Sequence, residues 1–259
     1  MTGLRLTLSG ISHRYNDLTV LDGIDLTARP GEVTVLLGPS GCGKSTLLGI
    51  AGGLIHPSAG EVTTEGEVPP DCLNALTYVF QDFALLPWRD VAGNVSLVLE
   101  DHALSRVDRQ ARVAEVLALT GLSEFAAAWP RQLSGGMRQR VGIARALAVR
   151  PGCMLLDEPF SALDAQTRDL LLGEFAALIA RAGTTTVYVT HNLSEAVRLG
   201  QQIVVLSRRP GRVREILRID RPLQDRRPDD PSLLAIEAQL WHLMRADAAA
   251  AEREVGHAR

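Results

Sequence analysis

Short, nearly continuous hydrophobic runs recur along the chain and predict buried β-strands. Each run is apolar or β-branched and ends at polar or turn-forming residues. The runs are 33–38, 153–158, 185–190 and 203–207. Helical patterns follow the first run at 44–54 and separate the second run from the third at 165–183. Because strands alternate with helices over intervals long enough for crossover connections, we predict a parallel sheet covered by helices.

Two other regions depart from this alternation. The N-terminal segments 4–15 and 18–29 alternate as antiparallel strands that end in turns do. Between about 90 and 150, the segments 106–122 and 136–150 are helical, with no strand pattern between them. We therefore predict an α/β core that carries an N-terminal antiparallel β subdomain and an inserted α-helical subdomain.

The same pattern divides the chain into two parts. The main domain is expected to cover residues 1–230, with its helical subdomain at about 90–150. Residues 231–259 form a C-terminal helical extension that ends in an alanine-rich stretch, and we expect this extension to fray. No internal repeat is visible.

Composition narrows the classes of function. The 259 residues are 46% hydrophobic and carry a formal net charge of −3, which disfavours a general nucleic-acid binder. Cys42, Cys72 and Cys153 lack a CxxC spacing, so we expect reduced thiols rather than disulfides or a zinc site. The N-terminus lacks a signal-peptide apolar region, and no apolar run reaches about 18 residues. We therefore expect a cytosolic protein.

Residues 38–46, GPSGCGKST, carry the strongest motif; we call them the phosphate loop. They follow a predicted strand, open a predicted helix and match G-x-x-x-x-G-K-[ST]. Glycines let the backbone approach an anion closely, and successive N–H groups at a helix start point positive charge at phosphate oxygens. The candidate nucleotide-binding residues are Gly38, Pro39, Ser40, Gly41, Cys42, Gly43, Lys44, Ser45 and Thr46. Ser45 is also a candidate Mg²⁺ ligand.

Lys44 is the single lysine among 27 basic Lys and Arg residues. An ammonium is a compact charge on a flexible stem and can reach the β- and γ-phosphates from inside a narrow loop, whereas a planar guanidinium is wider and has fixed donor directions. The shape of the loop therefore explains why this position is not arginine.

Two further motifs follow in the chain. The strand at 153–158 ends in Asp157 and Glu158, and such carboxylates can hold Mg²⁺ and act on the attacking water. Taken alone, this pair fits an exposed acidic turn equally well. The sequence LSGGMRQR at 133–140, which we call the signature segment, places Ser134 before glycines at a helix start. This is either an ordinary N-cap or a second anion site.

Together, these motifs resemble the ATP-binding subunit of an ABC transporter over about residues 4–215. The resemblance implies a P-loop NTPase (RecA-like) core in which the inserted helical subdomain carries the signature segment. It also implies ATP and Mg²⁺ as cofactors and a head-to-tail dimer, expected to be a homodimer. Each ATP would lie between the phosphate loop of one copy and the signature segment of the other.

The resemblance assigns further residues one at a time. Tyr15 would stack on adenine, although a core aromatic of a strand is the alternative. Gln81 would sense Mg²⁺ and water, and His191 would contact the γ-phosphate, although a lone histidine at a strand end is usually structural. Asn192 follows, where the family more often has aspartate.

The resemblance also assigns roles to residues of the acidic strand and of the signature segment. Glu158 would act as the general base on water or orient it, and Asp157 would hold Mg²⁺ with Ser45 and Gln81. The opposite copy's nucleotide would meet residues of the signature segment and of the SALD sequence that follows the acidic strand. These residues are Ser134, Gly135, Gly136, Gln139 and Asp164.

The type of ABC system follows from what the chain contains. It has one phosphate loop and one signature segment, and the sequences FALLPWRDVAGNV and IVVLSRRPGRV resemble the nitrate, sulfonate and taurine importer group. We therefore expect an importer ATPase at the cytoplasmic face of the membrane, with permease subunits as partners, an extracytoplasmic solute-binding protein as an indirect one, and no nucleic acid. A soluble ABC-type switch, or an importer for another solute, is the alternative.

The sequence leaves two alternatives for each of two further regions. The apolar stretch 83–88 either lines a groove for a permease helix or packs in the core. The arginine-rich segment 208–227 either faces an anionic membrane surface or is solvated, because acidic residues are interspersed in it.

Overall fold

The computed structural model of the protein describes residues 3–161 and 163–257. Its strands are β1 (Gly3–Tyr15), β2 (Leu18–Ala28), β3 (Val33–Leu37), β4 (Ala59–Glu67), β5 (Leu76–Val79), β6 (Cys153–Asp157), β7 (Thr185–Thr190), β8 (Gln202–Leu206) and β9 (Val213–Arg218). Its α-helices are α1 (Lys44–Ala51), α2 (Val91–Ser96), α3 (Arg106–Leu119), α4 (Gly135–Ala148), α5 (Ala165–Ala182), α6 (Leu193–Leu199) and α7 (Pro231–His257). Short 3₁₀ turns lie at Leu97–Leu99, Ser123–Phe125, Pro130–Gln132 and Leu223–Asp225.

The strands form two sheets. The larger sheet has the order β5-β6-β7-β3-β8-β9, in which β9 alone runs antiparallel to its neighbour. The smaller sheet is antiparallel, with the order β2-β1-β4. The four strands predicted from hydrophobic runs are therefore confirmed as neighbours in one parallel sheet, and the antiparallel N-terminal pair is confirmed as well.

Side-chain alternation along the parallel strands builds a core on each face of the larger sheet. In β3, Val35 and Leu37 pack towards the helices α2 to α7, whereas Leu36 packs towards α1 and the smaller sheet. β3 thus lies between two packed layers, and α1 belongs to one of them. The carboxyl ends of β3, β6 and β7 meet at one edge of the sheet, which is where parallel α/β folds bind ligands.

Three strands lacked a sequence signal. β4 reads AGEVTTEGE and is exposed at nearly every position, and β9 alternates half-buried and exposed residues among charged ones. β5 has only four residues. Each is the edge strand of its sheet, so one side of its backbone is unpaired and little apolar surface is needed.

Between β5 and β6 the described chain contains only helical elements, the region in which the helical subdomain was predicted. Within this region, Gly142 lets α4 approach the loop that follows β5, because a Cβ atom there would lie 2.3 Å from Cδ1 of Phe83. The C-terminal helix α7 packs on the core through Leu233 and Leu240, which are buried. The division into a domain at 1–230 and an extension at 231–259 stays a prediction.

Several side chains of the arginine-rich segment form ion pairs and hydrogen bonds within the fold, which its sequence did not indicate. Arg212 pairs with Asp22, and Arg218 pairs with Glu32. Arg226 is buried and donates to four backbone carbonyl oxygens, so the expectation of a membrane-facing or solvated surface is wrong for this residue. Burial lowers the pKa of Arg226 to about 10. In the part of the chain that the structure describes, no helix is both long and apolar enough to cross a bilayer.

Candidate active site

The phosphate loop joins the end of β3 to the start of α1, and two of its glycines have backbone angles that favour glycine. Gly41 has φ 76° and Gly43 has φ 104°. A Cβ atom on Gly43 would also lie 2.7 Å from Cδ2 of Leu21, so β2 packs directly against the loop. Both observations explain the glycine at the position before the lysine.

Lys44 lies at the centre of the loop with its side chain 4% exposed. Its ammonium donates to the carbonyl oxygens of Gly38, at 2.8 Å, and Pro39, at 3.0 Å. It also lies 3.8 Å from Oε1 of Glu158. The ammonium is therefore held between the phosphate loop and the end of β6.

Asp157 contacts the phosphate loop from the end of β6, which is separated from β3 by β7 in the sheet. The Ser45 hydroxyl donates to its Oδ1 at 3.0 Å, and the Tyr78 hydroxyl donates to its Oδ2 at 3.2 Å. Burial raises the pKa of the Asp157 carboxyl, against the two hydrogen bonds, which lower it. Burial and the adjacent carboxylate raise the pKa of Tyr78 well above its usual value. Tyr78 had no role in the sequence motifs, because its contact with Asp157 arises only when β5 pairs with β6.

The Ser45 and Asp157 oxygens suit magnesium. Mg²⁺ prefers hard oxygen ligands and is usually bound by one or two carboxylates together with substrate phosphates. Among the described residues, no cluster of three or more His, Cys, Asp or Glu side chains offers a complete metal cage. A hydroxyl and a carboxylate 3.0 Å apart beside a phosphate-binding loop therefore fit an ion that arrives with a nucleotide.

Glu158 and His191 meet beside Lys44. Nδ1 of His191 lies 2.9 Å from Oε2 of Glu158, and the imidazole is 53% exposed. Glu158 has φ 43°, which is rare for a residue with a side chain, and its N–H donates to the carbonyl of Val189 at 3.1 Å. Such a conformation costs about 1–3 kcal/mol and persists only where the surrounding structure holds it. The structure therefore gathers Lys44, Glu158 and His191, three of the residues singled out from sequence.

Gln81 joins the same group through one intermediate residue. Its side-chain amide donates to the Ser161 hydroxyl at 3.1 Å, and that hydroxyl donates to the carbonyl oxygen of Glu158 at 2.9 Å. Gln81 is thus linked to the turn that follows Glu158. Ser161 was absent from the predicted site.

The signature segment is divided between the surface and the interior. Ser134 and Gly135 are exposed, and the Ser134 hydroxyl caps α4 by accepting from the Met137 N–H at 3.2 Å. Gly136 is buried, and a Cβ atom there would lie 3.0 Å from Cδ1 of Leu171 in α5. Gln139 is 1% exposed, with no hydrogen-bond partner for its amide in the described parts of the chain. Its amide is therefore not presented at the surface for the predicted contact with a nucleotide.

Asp164 and Tyr15 both lie at the surface. Asp164 caps α5 by accepting from the Thr167 N–H at 3.0 Å, and this hydrogen bond lowers the pKa of its carboxyl. Tyr15 ends β1 and is 47% exposed, with its ring edge-to-face with His13 at 4.6 Å between centroids. The alternative of a core aromatic is therefore wrong for Tyr15. Asn192 caps α6 by accepting from the Glu195 N–H at 3.1 Å, a role that aspartate fills equally well.

Gly211 also supports the phosphate loop, although the sequence IVVLSRRPGRV, which contains it, indicated only the importer group. Its N–H donates to the carbonyl of Val20, and its own carbonyl accepts from the Asp22 N–H. A Cβ atom at Gly211 would lie 2.3 Å from the carbonyl oxygen of Cys42. Only a residue without a side chain can fit between β2 and the phosphate loop.

Replacing Gly211 by alanine is therefore expected to displace the phosphate loop. We expect a loss of about 1–3 kcal/mol in the free energy of unfolding, as for other overpacked sites, together with weaker ATP binding. Thermal unfolding and equilibrium ATP titration measure the two effects. Gly173→Ala in α5 is the control, because its nearest atom lies 3.7 Å away. Normal ATP affinity in the Gly211→Ala chain would show that this contact does not shape the loop.

Comparisons with known proteins agree with these motifs. The family model described as "ABC transporter" matches residues 21–161. The aliphatic sulfonates import ATP-binding protein SsuB 1 of Xanthomonas axonopodis pv. citri is 42% identical over 234 residues, covering 90% of this chain and 92% of that one. The nitrate import ATP-binding protein NrtC of Synechococcus elongatus is 44% identical over 209 residues, covering 78% of this chain and 31% of that one.

A solved structure extends the likeness to three dimensions. The dimeric post-hydrolysis state of the ATP-binding cassette MJ0796 bound to ADP and Pi superposes with a TM-score of 0.69 at 33% identity, covering 82% of this chain and 98% of that one. The predicted fold class, a P-loop NTPase core with an antiparallel β part and a helical part, is thereby confirmed. The chain belongs to the ABC transporter family and is an ATP-binding subunit that hydrolyses ATP.

Proposed function

We propose that the chain powers an ABC importer for nitrate, a sulfonate such as taurine, or a related small solute. The proposed role as the importer's ATPase is supported by one observation: Lys44, Glu158 and His191 lie close together beside the phosphate loop. The importer part is supported by the names of the two relatives, which are nitrate and sulfonate import proteins. The solute itself would be chosen by the permease and by an extracytoplasmic binding protein.

The phosphate loop binds the nucleotide's phosphates. Its N–H groups and the Lys44 ammonium hold the β- and γ-phosphates, so the ammonium exchanges contacts with the Gly38 and Pro39 carbonyls for phosphate oxygens. The Ser45 hydroxyl and the Asp157 carboxylate would hold Mg²⁺, with Gln81 near its bound water. Bound there, the ion would neutralise charge that develops on the phosphates.

Glu158 acts on the attacking water. As general base it takes the water's proton, or it orients the water without taking the proton. Nδ1 of His191 lies 2.9 Å from Glu158, so in its imidazolium form the ring can donate through Nδ1 to the carboxylate and through Nε2 to a γ-phosphate oxygen. The catalysis is mainly positioning and electrostatic stabilisation.

Two copies complete the site. The exposed Ser134 hydroxyl and the N–H groups at the start of α4 would meet the γ-phosphate bound to the other copy. Asp164, at the start of α5, would contact the opposite site. The dimeric cassette among the solved relatives supports this arrangement, and a homodimer is the simplest form of it.

Tyr15 would stack on adenine at the open side of the phosphate loop. Replacing it by alanine is expected to cost about 1–3 kcal/mol of affinity, which raises the Kd for ATP roughly 5- to 150-fold. Equilibrium titration with ATP measures this change. Tyr15→Phe should bind normally, and Leu18→Ala, at the position opposite Tyr15 in β2, is the matched control. Normal affinity of Tyr15→Ala would remove the stacking role.

The permease is proposed to dock beside Trp88. This side chain is 69% exposed, whereas Phe83 in the same apolar stretch packs against Gly142 in the core. A cavity of about 550 Å³ opens between α3 and α2, the helix that follows Trp88 in the chain. Val113 and Leu117 are among its lining residues, and Trp88 is not. An apolar helix end of a membrane partner fits such a groove. Binding there would hold the chain at the cytoplasmic face of the membrane.

Copurification tests the importer proposal. A tagged Glu158→Gln chain is bound to detergent-solubilised membranes with ATP, and its partners are identified by mass spectrometry. We expect a multi-span permease, and expect Trp88→Ala to reduce its recovery. Recovery of soluble partners or nucleic acid alone would overturn the importer proposal and leave the ATPase activity standing.

A further inference from the structure

A buried carboxylate lies directly beneath the candidate site and has no part in the mechanism above. Glu195 in α6 is 3% exposed. Its Oε2 accepts hydrogen bonds from the Thr190 hydroxyl at 2.7 Å and the Tyr188 hydroxyl at 2.8 Å. Its Oε1 lies 3.5 Å from Nε of Arg168 in α5. A buried charge with this many partners is costly to disturb, because removing one partner leaves the others unpaired.

Arg168 connects this carboxylate to the segment that leads from β6 to α5. Its Nη2 donates to the carbonyl oxygen of Leu163 at 2.7 Å, and its Nε donates to that of Phe160 at 3.4 Å. Asp164, which would contact the opposite nucleotide site, directly follows Leu163. The guanidinium therefore holds the backbone just before the proposed dimer contact.

Thr190 connects the same carboxylate to His191. The hydroxyl that donates to Glu195 also accepts from the Asn192 N–H at 3.0 Å, so it bridges the residues on either side of His191. Asn192 in turn accepts from the Glu195 N–H. The backbone of His191 is thus fixed on both sides by groups that are bound to Glu195.

We propose that Glu195 and Arg168 are positioning residues that lock the backbone around His191 to the segment preceding Asp164. The Glu195 carboxylate is bound to both of these backbone segments. A shift of His191 at one nucleotide is therefore transmitted to the contact of Asp164 with the other copy. This inference rests on the proposed roles of His191 and Asp164. Neither Glu195 nor Arg168 touches the reacting atoms, and their effect is on geometry.

Kinetics of Glu195→Gln and Arg168→Gln test the proposal. Glutamine nearly preserves the size of Glu195 and can still accept from Thr190, but it loses the attraction to Arg168. We expect kcat to fall about tenfold or more in either variant, as misplacement of catalytic groups does. The Kd for ATP should change less than about twofold, because the phosphate loop is untouched, and the double variant should be no worse than the single ones.

A second ion pair between the same two helices provides the matched control. Arg198 in α6 pairs at 3.0 Å with Asp169 in α5, the residue that follows Arg168. Among the described residues, Arg198 has no hydrogen bond to the backbone around His191 or to the segment before Asp164. Asp169→Asn should therefore keep normal kcat even where its melting temperature falls. Hydrogen exchange adds a direct readout. Amides of 158–165 and 188–193 should both exchange faster in Glu195→Gln, and neither should in Asp169→Asn.

The outcomes separate this inference from the proposed site. Loss of activity in His191→Ala with normal kcat in Glu195→Gln would overturn the positioning role and leave the site intact. Normal turnover in both His191→Ala and Glu195→Gln would overturn the proposed role of His191 together with the network. Equal loss of kcat in Glu195→Gln and Asp169→Asn, in proportion to lost stability, would show that Glu195 only stabilises the fold.

Discussion

A Glu158→Gln chain is expected to bind ATP normally and hydrolyse it about 10²–10⁴ times more slowly. The glutamine has the same shape, so the contact with His191 and the unusual backbone at this position can persist. It cannot take a proton from water. ATP binding should survive, because the Lys44 ammonium and the phosphate loop are unchanged and one negative charge 3.8 Å from that ammonium has been removed.

Phosphate release and equilibrium titration with ATP separate these two effects. Glu61→Gln, on the exposed edge strand β4, is the matched control and should hydrolyse ATP normally. Normal turnover in Glu158→Gln would mean that another group acts on the water. Loss of ATP binding in the same chain would mean that Glu158 is needed to shape the phosphate loop.

A Lys44→Ala chain is expected to fail at the earlier step, nucleotide binding. Hydrogen bonds to charged groups contribute about 1.5–3 kcal/mol, which corresponds to a roughly 10- to 150-fold rise in Kd. The substitution also removes the donors to the Gly38 and Pro39 carbonyls, so the phosphate loop loses its internal support. Equilibrium titration with ATP measures the loss, and thermal unfolding shows whether the fold is intact.

Lys44→Arg tests why this is the chain's single lysine. The ammonium lies in a space where its side chain is 4% exposed, between two loop carbonyls and Glu158. A guanidinium is wider and cannot match this arrangement, so we expect Lys44→Arg to bind ATP nearly as poorly as Lys44→Ala. Full affinity in Lys44→Arg would show that charge alone matters here.

Strands that are buried on both faces were predictable because burial leaves a continuous apolar run. β3, β6, β7 and β8 each match a predicted run to within one residue at either end. β4 and β9 were not predicted because an exposed edge strand needs no such run. β4 also pairs with β1, which is distant from it in sequence. Sequence periodicity reports burial, and it reports pairing only indirectly.

In the candidate site, too, some residues could be predicted from the sequence and others could not. Residues within a motif, such as Lys44 and Ser45, were identifiable because their chemistry is local to one strand–turn–helix unit. Tyr78, Gly211 and Glu195 were not, because each acts through a contact that forms only when distant segments pack. Gln139 is the converse case, in which a motif residue is buried away from the nucleotide surface.

The mass of the Glu158→Gln chain in solution tests the central claim, a nucleotide site shared by two copies. Light scattering coupled to gel filtration should give the mass of one 28.0 kDa chain without nucleotide and of two chains with ATP and Mg²⁺. The Ser134→Arg substitution in the same Glu158→Gln chain should leave ATP binding intact and keep the chain monomeric. A single-chain mass at an ATP concentration that saturates binding would contradict the shared site.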